Sequence, residues 1–239
     1  MRAGVLDPLG HLSMLSPLHP LAPRKKTLAA AALLAVAALT LSACGSGDDS
    51  SSPVSVVSEE GGSDKAATVL DQPFAKPDLV LTDTHGKKYD LRAETKGHPT
   101  LVYFGYTHCP DVCPTTMSNI AVAMKALPKA EQDDLRVVFV TTDPGRDTPA
   151  ELGTWLKSID PRFTGLTGDF STIQAAARSL GISVEPTSKD KNGKTVSVHG
   201  TQVIAFSPKT NGGYVLYGEE ATVDDWTRDL PKLVRGAKP

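Results

Sequence analysis

The order of apolar and polar residues from position 100 onward predicts alternating strands and helices. Residues 100–106 (TLVYFGY) form an unbroken apolar run rich in β-formers, typical of a strand buried on both faces of a sheet. Apolar residues then recur at helical spacing as far as Leu127, which predicts a helix that packs on the sheet and ends at Pro128. Residues 135–143 predict a second buried strand, and Thr148-Pro149-Ala150-Glu151 has the form of a capping box that begins another helix.

The remaining third of the chain continues this rhythm. A short strand is expected at residues 163–167, followed by a helix that begins at Ser171 and ends at Gly181. Residues 188–194 are polar and are expected to form a hairpin tip. Two strands follow at residues 201–208 and 213–218, joined by a glycine-containing turn at residues 211–213. The final helix is expected at residues 223–233. Pro231 lies inside that last helix, so we expect a kink or a break there.

A hairpin precedes these elements. Residues 78–91 alternate apolar and polar side chains around Gly86, which predicts two short strands joined by a turn. A βαβ beginning followed by a ββα ending is the element order of thioredoxin. We therefore expect an α/β, thioredoxin-like fold, in which a central mixed sheet is flanked by helices and carries an N-terminal β-hairpin.

The N-terminal segment has the composition of an export signal. Arg24, Lys25 and Lys26 precede an apolar run at residues 28–41, which is short of the roughly 20 residues that a spanning helix needs. Residues 1–43 are therefore interpreted as a signal peptide, with an N-terminal membrane anchor as the alternative. Residues 44–72 are interpreted as a flexible linker, since residues 45–62 contain little besides Gly, Ser, Asp, Glu and Val, and residues 73–239 as the folded domain.

Net charge and cysteine content limit the possible functions. The formal net charge is -2 and the domain contains no run of lysine or arginine, so a nucleic acid is not expected as a partner. Of the three cysteines, only Cys109 and Cys113 lie in the domain. Outside the cytoplasm, two neighbouring thiols drift toward a disulfide unless they are reduced or occupied by a ligand.

The segment YFGYTHCPDVCPTTM places Cys109 and Cys113 where the first central strand gives way to a helix. The N-terminus of a helix favours a thiolate, and the four-residue spacing turns both sulfurs toward one side of the first turn. A structural disulfide would stabilise little because it closes a short loop. A thiol-disulfide oxidoreductase remains a rival, although its usual motif has two intervening residues. A peroxide-reducing enzyme ranks lower.

His199 suggests a metal site instead. It lies just before an apolar strand, and in the expected topology that loop meets the start of the cysteine helix. Two thiolates and one imidazole form a soft three-ligand set that suits Cu(I), whereas structural zinc usually takes four ligands. A three-ligand site is open to ligand exchange, which is what a metal carrier requires.

At these residues the chain resembles the Sco/SenC family of copper-binding proteins. The resemblance rests on FGYTHCPDVCP, on TTDPGRDTPAEL, on Leu166-Thr167-Gly168 and on the His199 loop. It implies that Cys109, Cys113 and His199 are copper ligands for Cu(I) or Cu(II), and that Asp143 is a secondary residue near the site. Val198 stands where many members have an aspartate, so an acidic neighbour of the imidazole is missing.

The resemblance also implies a function and a location. Family members assist assembly of the dinuclear copper centre of cytochrome c oxidase, and some are thought to act as thiol reductants of that site. The expected partners are therefore the oxidase subunit, a copper donor and a reductant. Leu41-Ser42-Ala43-Cys44 resembles a bacterial lipobox, which implies that Cys44 is lipidated and holds the domain at the extracytoplasmic face of the cell membrane.

Overall fold

The computed structural model describes residues 66–239. The expected signal peptide and lipidation site, residues 1–43 and Cys44, lie outside the described residues. No helix within residues 66–239 has the length and apolar character needed to cross a bilayer.

The described residues form a mixed α/β fold, as the sequence predicted. In chain order the elements are β1 (Ala67–Ala75), β2 (Val80–Asp83), β3 (Lys88–Asp90), α1 (Leu91–Glu94), β4 (Thr100–Gly105), α2 (Val112–Met124), α3 (Lys129–Asp134), β5 (Arg136–Thr141), α4 (Pro149–Ile159), β6 (Thr164–Thr167), α5 (Phe170–Ser179), β7 (Ser188–Lys189), β8 (Thr195–Val196), β9 (Val203–Phe206), β10 (Gly212–Tyr217) and α6 (Val223–Leu233).

One mixed sheet has the strand order β1-β10-β9-β4-β5-β6-β2-β3. Strand β4 lies at its centre, parallel to β5 and antiparallel to β9, and every residue of β4 is buried. The β2–β3 hairpin joins the sheet through an antiparallel pairing of β2 with β6. Strand β5 pairs with β4 as far as Gly105, which positions the residues that follow β4.

The two faces of the sheet are covered by separate apolar clusters, as expected for a strand run buried on both sides. On one face, α2, α4 and α6 pack on β4 and β5 through residues such as Met117, Leu152 and Trp226. On the other face, α5 packs through Ile173 and Ala177. Both cysteines belong to the face that α2 covers.

Several local predictions are confirmed. Thr148 caps α4 in a reciprocal capping box with Glu151, with Pro149 as the first helical residue. Gly181 follows α5 with a φ of 71°, the left-handed conformation that glycine adopts without steric cost. The polar hairpin forms between β7 and β8.

Other boundaries differ from the sequence prediction. Strand β1 begins at Ala67, so the boundary expected at residue 73 falls inside a strand that pairs with β10. The cap of α5 is Asp169, which accepts a hydrogen bond from the backbone N–H of Thr172, and not Ser171. Of the kink or break expected at Pro231, the break does not occur, because α6 continues through that residue. The carbonyl of Thr227 that loses its partner belongs to an exposed residue.

Candidate metal centre

Cys109 and Cys113 lie where β4 leads into α2, as the sequence predicted. Cys113 is the second residue of α2 and is fully buried, whereas Cys109 lies in the preceding loop and is half-buried. The backbone N–H of Cys113 donates a hydrogen bond to Sγ of Cys109 at 3.4 Å. Asp111 occupies the N-cap position without a side-chain capping bond, so a sulfur takes one of the N–H groups that the helix leaves unpaired.

The two thiols are not joined by a disulfide. Burial raises the pKa of the Cys113 thiol to about 12, and a hydrogen bond from the Tyr103 hydroxyl only partly offsets that effect. Cys113 therefore carries its proton at neutral pH in the metal-free protein, and it must lose that proton before its sulfur can act as a thiolate ligand.

His199 lies next to Cys113 although 86 positions separate the two in sequence. Its Nε2 is 3.8 Å from Sγ of Cys113, while its Nδ1 lies 2.8 Å from the carbonyl oxygen of Gly200. A carbonyl only accepts hydrogen bonds, so Nδ1 carries the proton and Nε2 presents its lone pair to the sulfur. Burial lowers the pKa of His199, which keeps the imidazole neutral at pH 7.

The loop that carries His199 is held by backbone pairing with the segment after α5. Val184 and His199 form an antiparallel bridge, the N–H of Glu185 donates to the carbonyl of Val198, and the N–H of Gly200 donates to the carbonyl of Ser183. These bonds fix the backbone on both sides of the imidazole.

Two tyrosines enclose the imidazole. Tyr103 and Tyr106 each meet the ring of His199 edge to face, with centroid separations of 6.3 and 5.6 Å. Tyr103 is fully buried and its hydroxyl donates to Sγ of Cys113 at 3.5 Å. Burial raises the pKa of both tyrosines, so each phenol remains a hydrogen-bond donor at neutral pH.

Asp143 lies in the loop after β5, where its carboxylate forms an ion pair with Arg146. Its backbone carbonyl accepts the N–H groups of Arg146 and Asp147, which closes a tight turn. The structure thus gives Asp143 a partner other than the cysteines or His199. Within residues 66–239, no group of three His, Cys, Asp or Glu side chains is close enough to hold a metal ion in this conformation. Cys113 and His199 are together, and Cys109 points its sulfur at the helix N-terminus.

Asp147 supports the loop that carries Cys109. Its carboxylate is fully buried and accepts three hydrogen bonds, from the N–H and hydroxyl of Thr107 at 3.0 and 2.6 Å and from the hydroxyl of Thr141 at 2.6 Å. Asp147 thus anchors the loop before Cys109 to the end of β5.

Comparisons with known proteins agree with this fold. The model of the SCO1/SenC family matches residues 67–235, and this chain belongs to that family. Copper-bound ScoI of Bradyrhizobium japonicum is 32% identical, with a TM-score of 0.58 over 66% of this chain and 99% of that chain. Copper-bound ScoI of Arabidopsis thaliana is 29% identical, with a TM-score of 0.60 over 67% of this chain and 98% of that chain.

A longer relative is the mitochondrial SCO1 homolog 1 of Arabidopsis thaliana, which is 33% identical over 58% of this chain. The match covers 41% of that protein, and 46% of the SCO2-like protein of Rickettsia felis. The chain thus spans less than half the length of these two curated relatives.

Proposed function

We propose that this domain binds Cu(I) through Cys109, Cys113 and His199 and delivers it to the oxidase subunit that holds the dinuclear copper centre of cytochrome c oxidase. The single observation that carries the proposal is the 3.8 Å approach of Nε2 of His199 to Sγ of Cys113. The neutral imidazole of His199 and the buried thiol of Cys113 face each other and supply two of the three ligands of a soft Cu(I) site.

Cys109 completes the set by a side-chain rotation. Its sulfur already lies against the N–H of Cys113, in the first turn of α2, and the residue is only half-buried. A half-buried ligand can leave the metal and return to it. This is the property that transfer by ligand exchange requires, since the acceptor must insert a ligand of its own while the donor still holds the ion.

The relatives with solved structures support copper as the cargo. The structures of the Bradyrhizobium and Arabidopsis ScoI proteins both contain copper. The match with this chain covers 99% of the first and 98% of the second. Asp143 has a supporting role in this proposal. Its ion pair with Arg146 shapes the turn that positions Asp147, and Asp147 in turn anchors the loop of Cys109.

A lipid anchor would place this domain where the oxidase is assembled. Lipidation of Cys44 would hold the domain at the extracytoplasmic face of the cell membrane, with residues 45–65 as the tether. Metabolic labelling with a fatty-acid analogue tests this proposal. Label that appears in the parent protein and disappears in Cys44→Ser supports it, whereas equal labelling of both proteins contradicts it.

A thiol reductase is the second candidate, because both thiols are unbridged and one is half-exposed. In that reaction, Cys109 and Cys113 give up two electrons and two protons to an acceptor disulfide, and they become the disulfide themselves. The acceptor's two thiols would then be ready for metal.

One variant separates the two candidates. His199→Ala removes a copper ligand and leaves both thiols in place. Cu(I) affinity, measured by competition with a chromophoric chelator, should fall by at least about 100-fold, because loss of even a supporting residue of a metal site costs 10- to 100-fold. His85→Ala is the matched control, since His85 is exposed at the tip of the β2–β3 hairpin. Unchanged Cu(I) affinity in His199→Ala, with normal reduction of an oxidised acceptor peptide, would favour the reductase.

A further inference from the structure

A pocket with several polar and charged side chains lies at the opposite end of the sheet from the cysteines. It has a volume of about 330 Å³ and is lined by Ala75, Lys76, Arg92, Lys96, Thr210 and Asn211; we call it the cationic pocket. Lys76 binds Thr100, the first residue of β4, whereas the cysteines follow Gly105, the last residue of β4. Five strand residues at about 3.3 Å each separate the two ends by roughly 17 Å. The proposed copper site therefore takes no part in the cationic pocket.

Lys76 is the unusual residue of the cationic pocket. It is 4% exposed, and no carboxylate within residues 66–239 lies within ion-pair distance of its ammonium group. A buried charge without a counter-ion costs free energy, and proteins normally pair such charges. Burial also lowers the pKa of Lys76 to about 8.

Neutral groups hold the Lys76 ammonium in place. Its Nζ donates to the carbonyl and hydroxyl oxygens of Thr95 at 3.2 and 2.7 Å, to the hydroxyl of Thr100 at 3.3 Å and to Oδ1 of Asn211 at 3.4 Å. The ring of Phe206 lies 5.4 Å from Nζ and adds a cation–π contact. These partners satisfy the N–H groups but leave the positive charge uncompensated.

The rest of the cationic pocket presents hydrogen-bond donors. Asn211 directs Oδ1 to Lys76, which turns its NH₂ group away from the ammonium. The hydroxyl of Thr210 accepts the N–H of Gly212, so its own proton is available to donate. Lys96 is exposed at the rim.

Arg92 supplies a third cation. Its Nε donates to the carbonyl of Lys76 at 2.8 Å, which fixes the guanidinium beside the pocket. The nearest carboxylate is that of Asp78, whose Oδ2 is 3.9 Å from Nη1 of Arg92. This ion pair is long and exposed on both sides, so it neutralises little of the charge.

We propose that the cationic pocket binds a phosphate group. Three cations and several neutral donors converge on one cavity, and none of its lining residues is an acid. A phosphate monoester carries nearly two negative charges and several acceptor oxygens, which match this set better than a single carboxylate does. The ligand is either free phosphate or the headgroup of a phospholipid, and the chemistry of recognition is the same for both.

Titration of the purified full chain with inorganic phosphate tests the proposal, with backbone NMR shifts of Asn211 and Lys76 as the readout. Saturable shifts confined to the cationic pocket are expected. Lys96→Ala and Arg92→Ala should each weaken binding about five- to tenfold, since each removes one charged donor. Lys157→Ala and Arg178→Ala are the matched controls, because both residues are exposed on helices outside the pocket.

Lys76→Met provides a second test inside the cationic pocket. It keeps the length of the side chain and removes the buried charge, so phosphate binding should be lost while Cu(I) affinity stays unchanged. Absence of saturable phosphate binding in the parent protein, or equal weakening by the control variants, would overturn the proposal.

A parallel titration with dihexanoyl phosphatidic acid below its micelle concentration identifies the source of the phosphate. An affinity for the lipid at least tenfold above that for inorganic phosphate, weakened about five- to tenfold in Lys96→Ala, would identify a lipid headgroup. Equal affinities would identify free phosphate. Both results support the phosphate site, and failure of both ligands to bind refutes it whatever the outcome of the copper experiments.

Discussion

The raised pKa of Cys113 gives a quantitative prediction for copper binding. The buried thiol has a pKa of about 12, so it is protonated throughout the physiological range. Binding of Cu(I) must displace that proton. Each proton released makes the apparent affinity rise tenfold per pH unit, which corresponds to about 1.4 kcal/mol of binding free energy.

Between pH 7 and pH 9 the Cys113 proton alone should therefore strengthen Cu(I) binding about 100-fold. The rise should continue well above pH 9, because the Cys113 thiol does not ionise before binding until the pH approaches 12. His199 adds nothing in this window, since burial lowers its pKa and the imidazole is already neutral.

The assay is a competition titration against a chromophoric Cu(I) chelator at half-unit pH steps under anaerobic conditions, corrected for the chelator's own protonation. Cys113→Ser is the comparison variant and should bind Cu(I) far more weakly. A plot of the logarithm of its Cu(I) affinity against pH should be less steep than that of the parent by one unit, because one proton fewer is released. An affinity that levels off near pH 8.5, the ordinary value for a cysteine, would show that Cys113 is not the buried thiol of the metal site.

Three further predictions concern the scaffold of the site and the cationic pocket. A Cβ at Gly105 would lie 3.0 Å from Sγ of Cys113 and 2.8 Å from Cε1 of Tyr103. Gly105→Ala should therefore destabilise the fold by about 1–3 kcal/mol in denaturation experiments and weaken Cu(I) binding in chelator competition. Gly145→Ala, whose Cβ would have open space around it, should change neither quantity. Asp147→Ala leaves three donors without their acceptor, two half-buried on Thr107 and one buried on Thr141, and should cost about 3 kcal/mol in urea denaturation. A loss below 1 kcal/mol would contradict its anchoring role. Between about pH 8 and 10.5 the unfolded chain binds more protons at Lys76 than the folded protein does, so the free energy of unfolding of the parent should rise with pH by about 3 kcal/mol relative to that of Lys76→Met. Parallel pH curves for the two proteins would refute this.

The sequence predicted the elements whose signals are local. The buried strand β4, the helix after Cys109 and the capping box at Thr148 all follow from short patterns, and the structure has each of them. Strand β1 has no such signal. It lies at the edge of the sheet with most of its residues exposed, so it lacks the apolar run that marks β4.

The chemistry of the site was predictable in part. The topology led us to expect His199 beside the cysteines, because the loop before β9 meets the N-terminus of α2. Tyr103 was missed, although strand alternation puts it on the face of β4 that α2 covers and could have revealed it. The link from Asp147 to Thr107 spans 40 positions and has no local signature. The cationic pocket likewise draws its residues from three distant segments, so only the folded chain shows it.

X-ray absorption at the copper edge of the reduced, Cu(I)-loaded protein identifies the atoms that bind the ion. We expect one Cu(I) per chain with two sulfur ligands and one imidazole nitrogen, and an imidazole contribution that disappears in His199→Ala but persists in His85→Ala. Identical spectra of the parent and of His199→Ala would show that His199 does not bind the copper.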